Sequence, residues 1–177
     1  MTVSDPNEAQ VQVDLVPATA AHKSIFENLL QFYLHDFSEV ISLEVGTDGR
    51  FDYPHLELYW TGSGRFPFLA TADGKWAGFA FIKQIPQSAT EGFIWDMAEF
   101  FVLRGHRRLG IGIRLAHLAF QQFPGSWQVR VMESNSVACQ FWPQVIESFT
   151  GASVLPARTR LDGIAWYVFR FESTSVR

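Results

Sequence analysis

The chain has 177 residues and a formal net charge of −4, with 47% hydrophobic and only 18% charged residues. That length suits one compact domain, and the apolar share is large enough to fill its core. The charge balance offers no basic stripe for nucleic acid or for an anionic membrane surface, so any anion site must be local.

In chain order, residues 1–9 are polar and read as a flexible lead-in to a domain over residues 10–173. "VQVDLVP" alternates apolar and polar residues, as a half-buried strand does. "TAAHKSIFENLLQFYLHDFSEV" sets Ile25, Leu29, Phe32 and then Phe37 or Val40 near helical spacing, which predicts a helix broken near His35. Residues 46–65 mix glycines and a proline with aromatics, and an irregular segment of that length in a compact domain often serves function. "FPFLATADGKWAGFAFIKQI" is a hairpin signalled by Asp73-Gly74. "GFIWDMAEFFVL" is a further strand. "GIRLAHLAFQQF" is a helix with Ile111, Leu115, Leu118 and Gln122 along one side, stopped by Pro124-Gly125. "WQVRVM" is a strand, "NSVACQFWPQVI" opens a helix with Asn135 at its N-cap, and "AWYVFRFE" closes the chain as a strand. This order predicts an α/β domain with a mixed sheet flanked by helices.

Cys139 is the only cysteine, which excludes an internal disulfide and a multi-cysteine metal cluster. His22, His35, His55, His106 and His117 show no ligand spacing, so no metal is expected. No apolar run approaches the roughly 20 residues that span a bilayer. The polar start "MTVSDPNEAQ" does not read as a secretory signal, so a cytoplasmic protein is expected.

The turn "RRLGIG", Arg107 to Gly112, is the most informative stretch. Glycines at 110 and 112 let backbone approach a ligand closely. The helix that follows has unpaired N–H groups and a partial positive charge at its start. Arg107 and Arg108 add full charges. The stretch is either a plain helix-capping turn or an anion cradle. Two nucleotide motifs fit worse: GxxxxGK[ST] is absent, and GxGxxG lacks its third glycine because Leu115 stands there.

In its wider context, "FFVLRGHRRLGIGIRLA" resembles the acyl-coenzyme A binding segment of the GCN5-related N-acetyltransferases, the GNAT family. That family's signature is Arg or Gln, two residues, Gly, one residue, then Gly or Ala, and here it falls on Arg107, Gly110 and Gly112. "VRVMESNSVACQFW" is similar to the family's next strand and helix, through Asn135, Ala138, Phe141 and Trp142. The resemblance implies a GNAT-type, mostly antiparallel sheet, acetyl-CoA as cosubstrate and a small-molecule or peptide amine as acceptor; homodimerisation stays open. Coenzyme binding is implied for Phe101, Val102, Leu103, Arg107, Arg108, Leu109, Gly110, Ile111, Gly112 and Asn135. In that scheme the backbone around 107–112 holds the pyrophosphate. The pantetheine arm lies along the strand ending at Leu103, in a gap before the next strand. Asn135 serves the coenzyme, the N-cap, or both.

Acetyl transfer needs a base for the amine and a donor for the oxyanion, in the family a backbone N–H near Val102. The resemblance implies a carboxylate base on this strand, and Glu99 is preferred over Asp96; the alternative is that both are solvated or pair with Arg104 or Arg130. Their opposite parity would put them on opposite faces of a regular strand, but the family's strand commonly carries a bulge. Trp142 stands where many members have a tyrosine that protonates the leaving thiolate, and indole does not titrate near neutral pH. Cys139 and Tyr167 are the nearest substitutes. Pro143 is expected to kink or end its helix near Trp142. For a cationic acceptor, the resemblance points to His35, Asp36 and Glu39 and to Phe51, Tyr53, His55, Tyr59 and Trp60. The alternative to an enzyme is an acyl-CoA binding module that senses without turnover.

Overall fold

The computed structural model describes residues 11–87 and 92–174. The flexible lead-in expected for residues 1–9 lies outside them. Strands β1 (Val13–Pro17), β2 (Arg65–Ala72), β3 (Lys75–Pro86), β4 (Phe93–Val102), β5 (Gly125–Met132), β6 (Ala157–Leu161) and β7 (Ile164–Ser173) form one sheet. Helices α1 (Lys23–Phe37), the single turn α2 (Leu58–Thr61), α3 (Ile111–Gln122) and α4 (Ser136–Thr150) pack against it. The strand order is β1-β2-β3-β4-β5-β7-β6, and only the β4–β5 pair is parallel. This is the α/β architecture expected: a mixed, mostly antiparallel sheet flanked by helices in a single domain.

The two faces of the sheet carry separate cores. On one, Phe26, Leu29 and Leu30 of α1 and Tyr59 of α2 meet Leu69, Phe79, Phe81 and Phe101. On the other, Ala116, Ala119 and Phe120 of α3 and Trp142, Val145 and Ile146 of α4 meet Ile82, Met97, Trp127, Val129 and Phe169. Alternate residues of β3 and β4 serve alternate faces, so both strands are largely apolar and covered on both sides, with Lys83, Asp96 and Glu99 as charged exceptions in their interiors.

Asp73-Gly74 forms the expected hairpin turn, with positive φ at both residues (49° and 73°). Four local expectations change. Helix α1 does not break near His35; it runs unbroken to Phe37 because Leu34, 6% exposed, keeps its face on the core. Helix α3 buries Ile111, Leu115, Ala116, Ala119 and Phe120, whereas Gln122 is exposed and Leu118 only half-buried. Its two buried alanines let the helix sit close to the sheet. Helix α4 continues past Pro143 to Thr150. The missing N–H costs up to about 3 kcal/mol. Burial of Trp142 before the proline, and of Val145 and Ile146 after it, carries the helix through. Strand β6 was not expected, because "ARTRL" is a mostly exposed edge strand without an apolar face.

Two irregularities of β4 shape the centre of the molecule. Its parallel pairing with β5 covers only Trp95↔Trp127, Asp96↔Gln128 and Met97↔Val129. Beyond Met97 the two strands part, leaving that edge of β4 without a partner strand. On its other side β4 pairs with β3, but Phe81 opposes Glu99 while Ile82 opposes Met97, so Ala98 is an inserted residue. Such a bulge shifts the side-chain alternation by one.

Candidate active site

A cleft of about 590 Å³ opens where β4 and β5 separate. It runs from α1 and the 41–59 segment, past Glu99 and Phe100, to Asn135, Ala138 and Trp142 on α4. The bulge at Ala98 decides what faces it. In a regular strand Asp96 and Glu99, three residues apart, would lie on opposite faces; the bulge places both on the face of α1.

The two carboxylates occupy different environments. Tyr33 Oη and Tyr53 Oη donate to the two oxygens of Glu99, the latter at 3.0 Å. Burial pushes the Glu99 carboxyl above the usual carboxylate range, although the tyrosine hydrogen bonds and the charges of Lys83 and Arg130 pull the other way. Tyr33 and Tyr53 are pushed up by burial and by the neighbouring carboxylate, so both stay protonated as fixed donors. Asp96 is fully buried. Arg130 grips it through Nε (3.0 Å) and Nη2 (2.9 Å), Gln128 Nε2 donates to it at 2.8 Å, and Lys83 Nζ stands 3.7 Å away. Asp96 lines no part of the cleft, whereas Glu99 does.

At the other end of β4, Val102 leads through Leu103 into the 104–110 turn. Arg108 (φ 63°) and Gly110 (φ 73°) both adopt left-handed backbone here. Gly110 is the N-cap of α3, and the first intrahelical bond runs from Arg114 N–H to Gly110 O at 3.1 Å. The N–H groups of Ile111 and Gly112 therefore have no partner within the helix and point out of its start. Ile111 anchors that start by burying its side chain at 1% exposure, while Leu109 is 56% exposed. Arg108 makes no ion pair or side-chain hydrogen bond among the described residues and adds free positive charge. A helix start of this kind, with free N–H groups and an arginine beside them, is suited to receive an anion.

Arg107 and Gly112 also have structural roles, and Asn135 takes the N-cap position expected of it. The Arg107 side chain is engaged: Nε donates to Val102 O at 2.7 Å, Nη2 pairs with Asp36, and the guanidinium lies 5.5 Å from the Phe101 ring centroid. Its side chain holds the turn in place, leaving the charge at the cradle mouth to Arg108. A Cβ on Gly112 would stand 3.3 Å from the Phe141 ring, so this glycine sets the approach of α3 to α4. Asn135 Oδ1 caps α4 by accepting from Ala138 N–H at 3.0 Å and also lines the cleft. Phe101 and Val102 point to opposite faces, into the α1 core and the α3 core respectively. Leu103 N–H bonds back to Ala77 O at 2.8 Å.

On the acceptor side, Asp36 is not open to a cation. Burial raises its carboxyl, but the hydrogen bonds and charges of Arg104 and Arg107 outweigh this and hold it below the usual range. Glu39 stands 3.6 Å from Arg104. Among the aromatics, Tyr53, His55 and Tyr59 line the cleft; Phe51 and Trp60 do not. Neither substitute acid reaches it: Cys139 Sγ faces Met132 O, and Tyr167 Oη donates to Glu133 at 2.8 Å. Trp142 is 6% exposed and stacks edge-on against Phe100 and Phe141, both at 5.1 Å. Sequence reasoning missed Tyr33, Arg65 and Lys83, all in the cleft wall, and had Arg130 only as an alternative ion-pair partner. The available signal was the charge of Lys83 directly after the apolar run Ala77 to Ile82.

Residues 26–145 match the profile of the Acetyltransferase (GNAT) family. The match covers more than half of the chain, and the chain belongs to that family. A comparison with curated protein sequences returns no match. Among solved structures, an acetyltransferase from Thermus thermophilus is 17% identical with a TM-score of 0.61, covering 92% of this chain and 98% of the other. A GNAT-family acetyltransferase from Streptococcus pneumoniae is 15% identical, with a TM-score of 0.58 and coverage of 92% and 100%. Arabidopsis thaliana NAA60 in complex with acetyl-CoA is 13% identical, with a TM-score of 0.55 and coverage of 91% and 98%. At these identities the likeness is one of fold. Among the described residues, no helix is long and apolar enough to cross a membrane.

Proposed function

We propose that this chain transfers an acetyl group from acetyl-CoA to an amine by direct attack on the thioester. The observation that carries this reading is the position of Glu99: a desolvated carboxyl on the cleft floor, beside the unpartnered stretch of β4. The cradle at 108–112 receives the coenzyme's pyrophosphate through backbone N–H groups, with Arg108 adding charge. Pantetheine, whose amides resemble a peptide, runs along the free edge of β4 near Phe101, Val102 and Leu103, with Asn135 across the gap. Glu99 takes the proton from the amine. A carboxylate has about four lone-pair sites, so the two tyrosines leave it room to accept. The engagement of Asp96 by Arg130 and Gln128 speaks for a structural role there.

The test is acetyl-CoA binding by calorimetry, followed by thiol release across a panel of amines. Release that depends on the amine supports the transferase. Tight binding with no release from any amine would instead mark an acyl-CoA binding module. The thiolate leaves without a protein acid in this scheme, since a thiol is a far stronger acid than an alcohol, with a pKa of about 8.5 in the case of cysteine. Trp142→Phe should therefore lower stability by about 1–2 kcal/mol while turnover per folded molecule stays near parent. A large gain in turnover for Trp142→Tyr, normalised to folded fraction, would show instead that a missing acid limits this chain.

A further inference from the structure

The floor of the cleft carries more positive charge than it neutralises. Arg65 opposes Lys83 across β2–β3, Lys83 opposes Asp96 across β3–β4, and Asp96 opposes Gln128 across β4–β5. Directly opposed residues share a face, so this row lies beside Glu99 on the α1 side. Asp96 is the one carboxylate in the row, and Arg130 takes both of its oxygens. Lys83 is left with a 3.7 Å contact. Arg65 has no ion pair among the described residues and lies over the Tyr59 ring, 5.3 Å from its centroid. Two cations directly opposite each other destabilise a sheet, and the one carboxylate in the row, already held by Arg130, offsets the pair only through its 3.7 Å contact with Lys83. Burial lowers the Lys83 ammonium pKa, and the nearby Arg130 and Arg65 lower it further against the pull of Asp96. The remaining carboxylates of the cleft are Glu99, held by two tyrosines, and Asp52, exposed at the rim.

A simple ammonium ion would meet repulsion on this floor. A carboxylate would meet the guanidinium fork of Arg65, which has no ion pair among the described residues, and the ammonium of Lys83, whose contact with Asp96 is long; both side chains line the cleft. Because Ala98 is inserted, Glu99 lies opposite Phe81, two residues from Lys83 along β3 or roughly 7 Å, and the long basic side chains bridge part of that span. We propose that the acceptor is an amine that also carries a carboxylate, with the carboxylate held by Arg65 and Lys83 and the amine directed to Glu99. This rests on the acetyl-transfer reading and narrows its substrate to amino acids and related amino carboxylates. Tyr33, Tyr53 and Tyr59 around the same space would favour members with apolar or aromatic side chains.

The binding arm of the test needs no turnover. The protein is saturated with coenzyme A and titrated calorimetrically with N-acetylglycine, N-acetylleucine and N-acetylphenylalanine, each against its carboxamide. At least one carboxylate should bind about 30-fold more tightly than its amide, as expected for a charge-assisted contact. That ratio should fall towards one in Arg65→Gln and in Lys83→Met, and persist in Arg160→Gln on exposed β6. Melting temperature separates recognition from structure: relief of like-charge opposition predicts that Arg65→Gln melts no lower than parent. Amides that bind as well as acids, or an undiminished ratio in both variants, would overturn the proposal. The turnover arm compares the free amino acids with their amides by thiol release. Carboxylate-selective binding without transfer would uphold this site and remove the transferase reading. Transfer without preference for acids would do the reverse.

Discussion

Replacing Glu99 with glutamine is expected to slow acetyl transfer by about 10²-fold or more while leaving acetyl-CoA affinity unchanged. Glutamine keeps the shape: its amide oxygen accepts from one tyrosine and its amide N–H donates to the hydroxyl oxygen of the other, but it cannot take a proton. The pH profile separates this from a packing effect. A base works deprotonated, so the parent rate falls as pH drops through the Glu99 pKa. Burial has raised that pKa, which moves the fall above the ordinary carboxylate range. Ionisation of the acceptor amine already gives log(kcat/KM) a slope with pH. Below the Glu99 pKa that slope should steepen by one unit in the parent and not in the variant. Identical profiles would take Glu99 out of the mechanism.

Asp96→Asn should act mainly on stability. The change leaves Arg130 and Lys83 without a counter-charge beneath the sheet. Removing one partner of a buried pair typically costs 3–5 kcal/mol, and about 3 is expected here because both cations are partly exposed. For a domain of this size that is a fall in melting temperature of about 10 °C. Removing both charges, as Asp96→Leu with Arg130→Leu, should recover much of the loss. Turnover per folded molecule should change far less than in Glu99→Gln. A variant that melted like parent but had lost turnover would make Asp96 the base.

How much of this was legible in the residues depends on the range of the interactions involved. The 107–112 turn and the Asn135 cap are local: glycine spacing and a helix start reveal them directly. The Asp73-Gly74 hairpin is equally local. The same signal stood at Asp162-Gly163, which joins β6 to β7 with φ of 51° and 81°, but the exposed β6 gave no periodicity to go with it. The bulge was not legible in this chain, because Ala98 is inserted only relative to a partner strand about fifteen residues away in sequence. Without it the parity of Asp96 and Glu99 misleads. The tyrosine partners of Glu99 were hidden for the same reason, since Tyr33 comes from α1 and Tyr53 from the irregular segment; Arg130 of β5 stood only as one of two possible partners for either carboxylate. Pro143 misled in the opposite direction, since its local cost was outweighed by tertiary burial around it.

The parting of β4 from β5 has a consequence for the protein's life among other proteins. An unpaired strand edge is a template for aggregation, and natural sheets guard their outer edges with charge, bulges or covers. Here the outermost strands, β1 and β6, flank the sheet, but a further open edge lies in its interior, between strands four and five of the order. It is recessed in a cleft walled by α1 and α4 and by the 41–59 segment. A slender, amide-bearing molecule can slide along it, while a strand of another protein, with a sheet behind it, cannot enter. The recess makes the exposed backbone selective by thickness, so this edge needs none of the charged guards that an outer edge requires.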